Sequence, residues 1–348
     1  MNLAEFGFNC LFGLGIFLLS VTITRLMIRI NIVDKPNERS SHIVPTPRSG
    51  GVAIVLSFTL GAFIVLFLES RFDLPMHQFF AVIVGAFFMA FIAFIDDVKG
   101  LRQIIKFSGQ FLSIIVILVS GLYFKQLSFP FANPIELSPI LGMGITLCWF
   151  LFFMNAFNFM DGLNGLAGGS ALVASIFMCI LGYLSGFYVV YILSMILAFA
   201  ILGFLIFNFP KGKIFLGDTG SQYVALILAV IGVIASQSTI VFVSEMSVPF
   251  LFFIFVFDVI LTLIKRLMRR ENIFQAHKSH LYQMLNQSGF SHVFVTILHL
   301  GFMIIGGLSV LYLYQHGPEN TLKIFAILFS IAVVYAIIVQ RVYGRSVK

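Results

Sequence analysis

Long, uninterrupted apolar runs dominate this sequence, and they restrict the chain to folds that suit a lipid bilayer. Eleven runs are present, with approximate bounds 6–28, 50–68, 78–95, 107–124, 140–157, 166–185, 187–207, 222–239, 247–267, 292–314 and 321–340. A helix that crosses a bilayer needs about 20 mostly apolar residues. Only 10% of the residues are charged, too few to cover a water-facing surface. The sequence therefore predicts an all-α polytopic integral membrane protein of about eleven transmembrane helices, built as one domain over residues 1–348.

The basic residues predict how these helices are oriented. The segments that fall on one side of the membrane hold 18 of the 21 lysines and arginines. The segments on the opposite side hold only Arg71, Lys125 and Lys323. Because basic residues accumulate on the cytoplasmic side of membrane proteins, we expect the first set to be cytoplasmic. An odd number of spans then places the N-terminus in the periplasm and the C-terminus in the cytoplasm. Topology thus explains the net charge of +7 without a nucleic-acid partner.

Nearly all specific polar residues fall in five segments on the predicted inner face. These segments are 29–50, 96–106, 155–169, 208–221 and 265–291. A transporter, the alternative from another functional class, would be expected to place polar groups near the middle of the membrane. The interiors of the runs are instead almost free of charge, with Asp258 in the ninth as the main exception. We expect Asp258 either to belong to the inner site or to pair with Lys265 or another span.

Three carboxylates in these segments suggest chemistry with phosphates. Asp96 and Asp97 are adjacent at the end of a run, where they are unfavourable unless a divalent cation or a cationic side chain neutralises them. A solvated helix end is the alternative interpretation. Lys106 follows as a candidate phosphate contact. Asp218 lies among small and hydroxyl residues in GDTGS, which suits Mg²⁺ bound with a diphosphate, since this ion keeps few protein ligands.

Amides and a carboxylate recur in the segment NAFNFMDGLNGLAGG, over 155–169. Asn155, Asn158 and Asp161 are spaced by three residues and therefore share one helical face. Such groups suit the edge of a nucleobase or a hard cation. Phe215, in the next segment, is a candidate for stacking on a base.

Basic and histidine residues complete the predicted inner face. His277 and His280 lie in HKSHLYQ, where zinc is one interpretation. The sequence has no HExxH pattern to support zinc, and the neighbouring basic residues favour contacts with anions. The first segment offers Lys35, Arg39, His42 and Arg48, for which lipid headgroups are the alternative partners. P-loop and Rossmann nucleotide-binding motifs are absent from the sequence.

Together these motifs resemble those of the polyprenyl-phosphate N-acetylhexosamine-1-phosphate transferases, a glycosyltransferase 4 type family with WecA-type, WbpL-type and MraY-type members. The matching segments, in family order, are TPRSGG (46–51), DDVKGL (96–101), NAFNFMDGLNGL (155–166), GDTGS (217–221) and HKSHLYQ (277–283). The resemblance implies a multi-pass enzyme of the bacterial inner membrane. In its reaction, undecaprenyl phosphate attacks the β-phosphorus of a UDP-amino sugar and UMP leaves. The resemblance also implies Mg²⁺ as cofactor, with Mn²⁺ as the alternative, and a homodimer.

The same resemblance assigns roles to residues. The implied metal ligands are Asn158 and Asp218. The implied catalytic residues are Asp96, Asp97 and Asp218, and one of the adjacent pair is the candidate base. The implied substrate contacts are Arg48, Lys106, Asn155, Asp161, Asn164, Phe215, His277 and His280. Of these, Asp161, Asn164 and Phe215 would hold the uracil.

One departure from the family narrows the donor. The last motif is HxxH followed by Tyr-Gln and differs from the triple histidine of the MraY type. This favours a WbpL-type enzyme that starts O-antigen or a related glycan, with UDP-GlcNAc, UDP-FucNAc or UDP-QuiNAc as donor. The phospho-N-acetylmuramoyl-pentapeptide transferase reaction is the alternative.

Overall fold

A computed structural model describes residues 3–34, 44–129, 132–237, 245–272 and 277–346. The helices over these ranges are α1 Leu3–Ile30, α2 Gly51–Leu68, α3 Met76–Lys99, α4 Gln103–Val119, α5 Pro139–Phe159, α6 Leu166–Leu184, α7 Tyr188–Asn208, α8 Gly217–Ser236, α9 Ser247–Leu251, α10 Phe253–Met268, α11 Leu281–Gln287, α12 His292–His316 and α13 Thr321–Ser346. Two small antiparallel hairpins pair β1 Val33–Asp34 with β2 Thr46–Pro47, and β3 Gln126–Phe129 with β4 Ala132–Glu136.

Each of the eleven predicted apolar runs falls on a helix, which confirms the helical membrane class. Within the described ranges, nine helices are long and apolar enough to cross a membrane. Of the remaining runs, one forms the shorter α4, and the ninth is divided at Phe252 between α9 and α10. The two hairpins were not predicted. The orientation of the termini stays a prediction, and Lys35, Arg39 and His42 lie outside the described residues.

Helix α8 lies at the centre of the bundle. In its most apolar stretch 94% is buried inside the protein, whereas the buried share of the corresponding stretch of α13 is 28%. After its first turn, α8 carries no charged residue. Its neighbours include α2, α3 and α5. The N-terminal end of α8 is therefore enclosed by the ends of other helices, and this end becomes the candidate site.

The GDTGS motif, predicted as a loop before a span that starts at 222, forms the first turn of α8. Its backbone touches the first turn of α2, where a Cβ on Gly51 would overlap the backbone of Gly220. The amide of Gly51 also donates to the carbonyl of Leu216 at 2.9 Å. This close contact fixes Asp218 against the segment that follows Arg48.

At the opposite end of the bundle, Arg71 joins three parts of the chain. Its guanidinium contacts Glu69 at 2.9 Å and Glu5 at 3.5 Å, and it lies 4.4 Å from the ring centroid of Tyr188. The hydrogen bonds from Arg71 lower the pKa of Glu69 to about 2. The basic residue Arg71, on the predicted outer side, is therefore neutralised by its neighbours.

Candidate active site

Asp218 is the centre of a cluster built from four helices. Its Oδ1 accepts a hydrogen bond from Asn158 Nδ2 at 2.9 Å, and its Oδ2 pairs with Lys106 Nζ at 2.9 Å. The carboxyl of Asp96, in the last turn of α3, lies within hydrogen-bonding contact of Asp218 and pairs with the same ammonium. Four residues singled out from the sequence thus meet at one point, although the chain separates them widely.

The neighbouring carboxylate, Asp97, has a different task. It is 3% exposed and accepts hydrogen bonds from Ser49 Oγ at 3.0 Å and Thr219 Oγ1 at 2.6 Å. The backbone amides of Asp218 and Thr219 also donate to it, at 3.0 and 3.2 Å. These amides belong to the first turn of α8, whose N–H groups have no partner within the helix. Asp97 therefore caps α8 from another helix, which explains why this helix begins earlier than its apolar run.

The cluster has the donor chemistry of a hard cation site. The carboxyl groups of Asp96 and Asp218 both lie against the ammonium of Lys106, so two acidic side chains meet at one cation. Asn158 Nδ2 also donates to Ser221 Oγ at 2.8 Å, which places a hydroxyl beside the carboxylates. Mg²⁺ prefers oxygen ligands and completes its shell with phosphate oxygens. These residues therefore fit the cofactor implied by the sequence.

The zinc interpretation of the histidines finds no support. Across the described ranges, no group of three or more His, Cys, Asp and Glu side chains is arranged to hold a metal ion. The ring of His277 lies 4.9 Å from that of His280, and its Nδ1 lies 2.9 Å from Ser279 Oγ. Burial, together with the charges of His280 and Arg266, lowers the pKa of His277 to about 4. His277 is then neutral near pH 7 and offers hydrogen bonds rather than a charge.

Asp258 has a clear partner, which the sequence left open. Its Oδ1 lies 3.3 Å from His280 Nδ1, and its two oxygens accept from the amide of Leu281, at 2.9 and 3.0 Å. Thr262 Oγ1 adds a further contact at 3.1 Å. Asp258 thus holds the start of α11 and orients His280, and among the described residues Lys265 is not one of its hydrogen-bond partners.

The histidine segment adjoins the Asp218 cluster through the end of α5. The ring of Phe159, which follows Asn158, lies 5.8 Å from that of His280. Tyr282 Oη donates to the carbonyl of Phe159 at 2.8 Å, and a Cβ on Gly162 would overlap this hydroxyl. The histidine segment and the Asp218 cluster therefore lie on either side of the connection between α5 and α6.

That connection carries Asp161, the predicted uracil contact. Its carboxyl is half-buried. Burial raises the pKa of Asp161 well above its usual value, and the negative charges of Asp218 and Asp97 raise it further. A carboxyl accepts hydrogen bonds in its charged form and can also donate one in its protonated form. Such a group suits the alternating donors and acceptors of a uracil edge.

The remaining predicted substrate contacts surround this connection. Asn164 Nδ2 donates to the carbonyl of Pro210 at 3.3 Å, beside the segment that carries Phe215. The amide of Phe215 donates to the carbonyl of Pro47 at 2.8 Å. Arg48 lies 3.7 Å from Asp34, and its buried Nε has no hydrogen-bond partner among the described residues. These side chains line one end of the bundle, and their assigned roles stay predictions.

Asn155 lies one turn deeper than the others. It contacts Gln110, which in turn contacts Gln222, and neither glutamine was singled out from the sequence. Both glutamines stand on apolar helices, where polar side chains usually have a specific partner. A single glutamine among apolar residues of a helix is the sequence signal by which Gln110 and Gln222 could have been identified.

Comparison with known proteins gives a consistent result. The model of glycosyl transferase family 4 matches residues 79–236. A decaprenyl-phosphate N-acetylglucosaminephosphotransferase of Mycobacterium leprae is 33% identical over 329 residues, which cover 84% of this chain and 79% of that protein. A probable undecaprenyl-phosphate N-acetylglucosaminyl 1-phosphate transferase of Bacillus subtilis is 28% identical, with 80% and 76% covered. A phospho-N-acetylmuramoyl-pentapeptide-transferase of Staphylococcus carnosus is 30% identical, with 68% and 74% covered. The resemblance found in the motifs is confirmed, and the chain belongs to glycosyl transferase family 4, among the polyprenyl-phosphate N-acetylhexosamine-1-phosphate transferases.

Proposed function

We propose that this protein transfers an N-acetylhexosamine 1-phosphate from a UDP-sugar to a polyprenyl phosphate and releases UMP. The observation that carries the proposal is the cluster in which Lys106 lies between Asp96 and Asp218, at the enclosed end of α8. The names of the relatives from Mycobacterium leprae and Bacillus subtilis support the same reaction class.

The cluster supplies what phosphoryl transfer requires, namely positioning and neutralisation of charge. Asp218 and Asn158 would hold Mg²⁺, which neutralises the diphosphate of the donor when it is bound. Lys106 offers an ammonium to the phosphate oxygens from the same point. Asp96, which also accepts from the amide of Leu101 at 2.6 Å, would take any proton carried by the attacking phosphate. Asp97 would act indirectly, by holding the first turn of α8 in place.

The donor would lie across the connection between α5 and α6. Asp161 and Asn164 would hydrogen-bond the uracil, and Phe215 would stack on it. His277 and His280 would contact the sugar or the diphosphate from the facing side, since the ring of His280 lies against Phe159. The guanidinium of Arg48 would add a further phosphate contact.

An apolar groove beside Lys106 supports a lipid acceptor. Its volume is about 420 Å³, and its lining residues are Phe107, Ser108, Phe111, Leu112 and Leu151. Phe107 follows Lys106 directly on α4, so a prenyl chain in the groove would bring its phosphate towards the ammonium. We propose undecaprenyl phosphate as the acceptor, and UDP-GlcNAc or a 6-deoxy relative as the donor of the first sugar of an envelope glycan such as O-antigen.

The release of UMP by purified protein tests the proposal. The reaction would contain Mg²⁺, undecaprenyl or decaprenyl phosphate, and one donor at a time from UDP-GlcNAc, UDP-FucNAc, UDP-QuiNAc and UDP-MurNAc-pentapeptide. We expect release with an amino-sugar donor, and loss of most turnover in Asp218→Asn protein of normal melting temperature. Release with the pentapeptide donor alone would select the alternative reaction. If the folded protein releases no UMP with any of these donors, the proposal is refuted.

A further inference from the structure

Three amide side chains, of which Gln110 and Gln222 are buried and Asn155 is half-buried, form a layer one helical turn deeper than the Asp218 cluster. Gln110 Nε2 donates to Gln222 Oε1 at 2.9 Å and lies 3.3 Å from Asn155 Oδ1. Asn155 Nδ2 donates back to Gln110 Oε1 at 3.1 Å. Gln110 and Gln222 are 2% and 6% exposed, so each depends on these partners for its hydrogen bonds. Gln110 is the centre of the layer, because it contacts both of the others.

Each amide stands on a helix that also carries a residue of the cluster. Gln110 follows Lys106 by four residues on α4, and Gln222 follows Asp218 by four residues on α8. Asn155 precedes Asn158 by three residues on α5. Residues three or four apart lie on the same face of a helix. The layer therefore joins the same three helices, on the same faces, as the contacts of Asp218 with Lys106 and Asn158.

The hydrogen bonds of Asn155 also bear on its role. Its two amide protons go to Gln110 Oε1 at 3.1 Å and to the carbonyl of Leu151 at 2.7 Å. Its Oδ1 faces Gln110 Nε2 at 3.3 Å. All of these partners belong to α4 and α5, so Asn155 joins these two helices. The sequence had predicted a substrate contact for this residue.

We infer that Gln110, Asn155 and Gln222 are positioning residues, which fix the axial register of α4, α5 and α8 and so set the spacing of Lys106, Asn158 and Asp218. A slip of one residue along a helix moves its side chains by about 1.5 Å. A misplacement of about 1 Å at a reacting centre can lower turnover about 100-fold. A reciprocal amide pair is satisfied in one register only, because its directional hydrogen bonds are lost when one helix slips. This inference rests on the proposed function for its activity assay alone.

Gln110→Leu tests the layer, and Gln237→Leu is its matched control. Gln237 lies just beyond the other end of α8 and donates to the carbonyl of Tyr123 at 2.9 Å, so its replacement also removes one amide contact between helix ends. We expect Gln110→Leu to lower kcat for UMP release at least tenfold, with little change in KM for the UDP-sugar. Gln237→Leu should keep kcat within about twofold, and both variants should melt at similar temperatures. Because Gln110 and Gln222 act through each other, the double variant with Gln222→Leu should be no worse than the poorer single variant.

A second readout does not need activity. Lys106 is held between two carboxylates, so its amine should react slowly with an acylating reagent, as followed by mass spectrometry of the peptide. We expect faster labelling of Lys106 in Gln110→Leu protein and unchanged labelling in Gln237→Leu protein. If Gln110→Leu protein does not fold, Gln222→Met takes its place with the same expectations. Unchanged kcat and unchanged labelling, or equal losses in the control, would overturn the inference. A wild-type protein that releases no UMP would refute the proposed function and leave the labelling test intact.

Discussion

At the scale of single residues, Asp96 and Asp97 show how neighbours on a helix acquire separate tasks. Successive residues of an α-helix point about 100° apart, so two adjacent carboxylates contact different groups. Asp96 therefore faces Lys106 and Asp218, while Asp97 faces the first turn of α8. The sequence predicted that both residues matter, and one of them was the candidate base. It could not separate them, because their partners lie far along the chain.

The two residues should differ in what their loss does. Asp97→Asn replaces one acceptor oxygen with an NH₂ group that faces donors, and this should cost about 1–3 kcal/mol of stability together with activity. Asp96→Asn keeps the cap of α8 and should retain a near-normal melting temperature while turnover falls about 100-fold or more. Thermal melting in detergent and UMP release measure the two effects. Equal destabilisation by both substitutions would contradict this division.

Asp258 is expected to act through His280. Asp258→Asn weakens the contact with His280 Nδ1 and turns an amide towards the N–H of Leu281, so the start of α11 should loosen. We expect a higher KM for the UDP-sugar, measured by UMP release. Thr262→Val is the matched control, since it removes one donor to the same carboxylate without touching His280. An equal change of KM in both variants would argue against the role of His280.

His277 should make stability depend on pH. Its pKa is about 4 in the folded protein and 6.5 in an unfolded chain, because burial disfavours the charged ring. Between these values the unfolded chain binds the extra proton, so stability falls as the pH drops from 6.5 towards 4. The melting temperature of the wild type, relative to that of His277→Gln, should therefore decrease as the pH is lowered from about 7 to about 5. A difference that does not change with pH would show that His277 titrates normally.

At the scale of secondary structure, helix positions were predictable and helix ends were not. The apolar run predicted a span from 222, whereas α8 begins at Gly217, because Asp97 caps it from α3. The start of α11 likewise depends on Asp258, which is distant in sequence. Apolar runs are local properties of the chain and can be seen in the sequence. Caps supplied by another helix depend on tertiary contacts, which one sequence does not reveal.

The crossing of α2 and α8 should tolerate no side chain at Gly51. A Cβ there would overlap the backbone of Gly220, so Gly51→Ala must separate the two helices near Asp218. We expect a clear fall in melting temperature and a larger fall in turnover. Gly144→Ala on α5 is the matched control, because a Cβ at Gly144 meets nothing within 4 Å. If Gly51→Ala protein is as stable and active as this control, the close contact is not needed.

At the scale of the whole molecule, the bilayer makes the sequence unusually informative. It requires apolar helices of a set length, so hydropathy alone places all eleven runs on helices. The central position of α8 and the interruption at Phe252 depend on how the helices surround one another, which hydropathy does not specify. The Asp218 cluster was foreseen as a set of residues. Its separation into an ion-paired group, a cap and an amide layer was not.

The orientation of the whole bundle can be tested by labelling. The candidate site lies at the end with most of the basic residues, and Arg71, one of the three basic residues on the other side, is neutralised by Glu69 and Glu5. The positive-inside rule therefore predicts that the site faces the cytoplasm. We would replace Cys10, Cys148 and Cys179 by serine, and then introduce Asp73→Cys between α2 and α3 or Lys211→Cys between α7 and α8. Both positions are exposed.

In intact spheroplasts, a membrane-impermeant maleimide should label the Asp73→Cys protein and should leave the Lys211→Cys protein unlabelled until the membrane is opened. The reason is that the two positions lie in connections separated by five helices, α3 to α7, so an odd number of crossings places them on opposite sides. The reverse labelling would invert the bundle and put the Asp218 cluster outside, away from a cytoplasmic donor. Labelling of both positions in intact spheroplasts would mean that one of the five helices does not cross the membrane. The shorter α4 would then be the first to test, since its 17 residues are the fewest among the five.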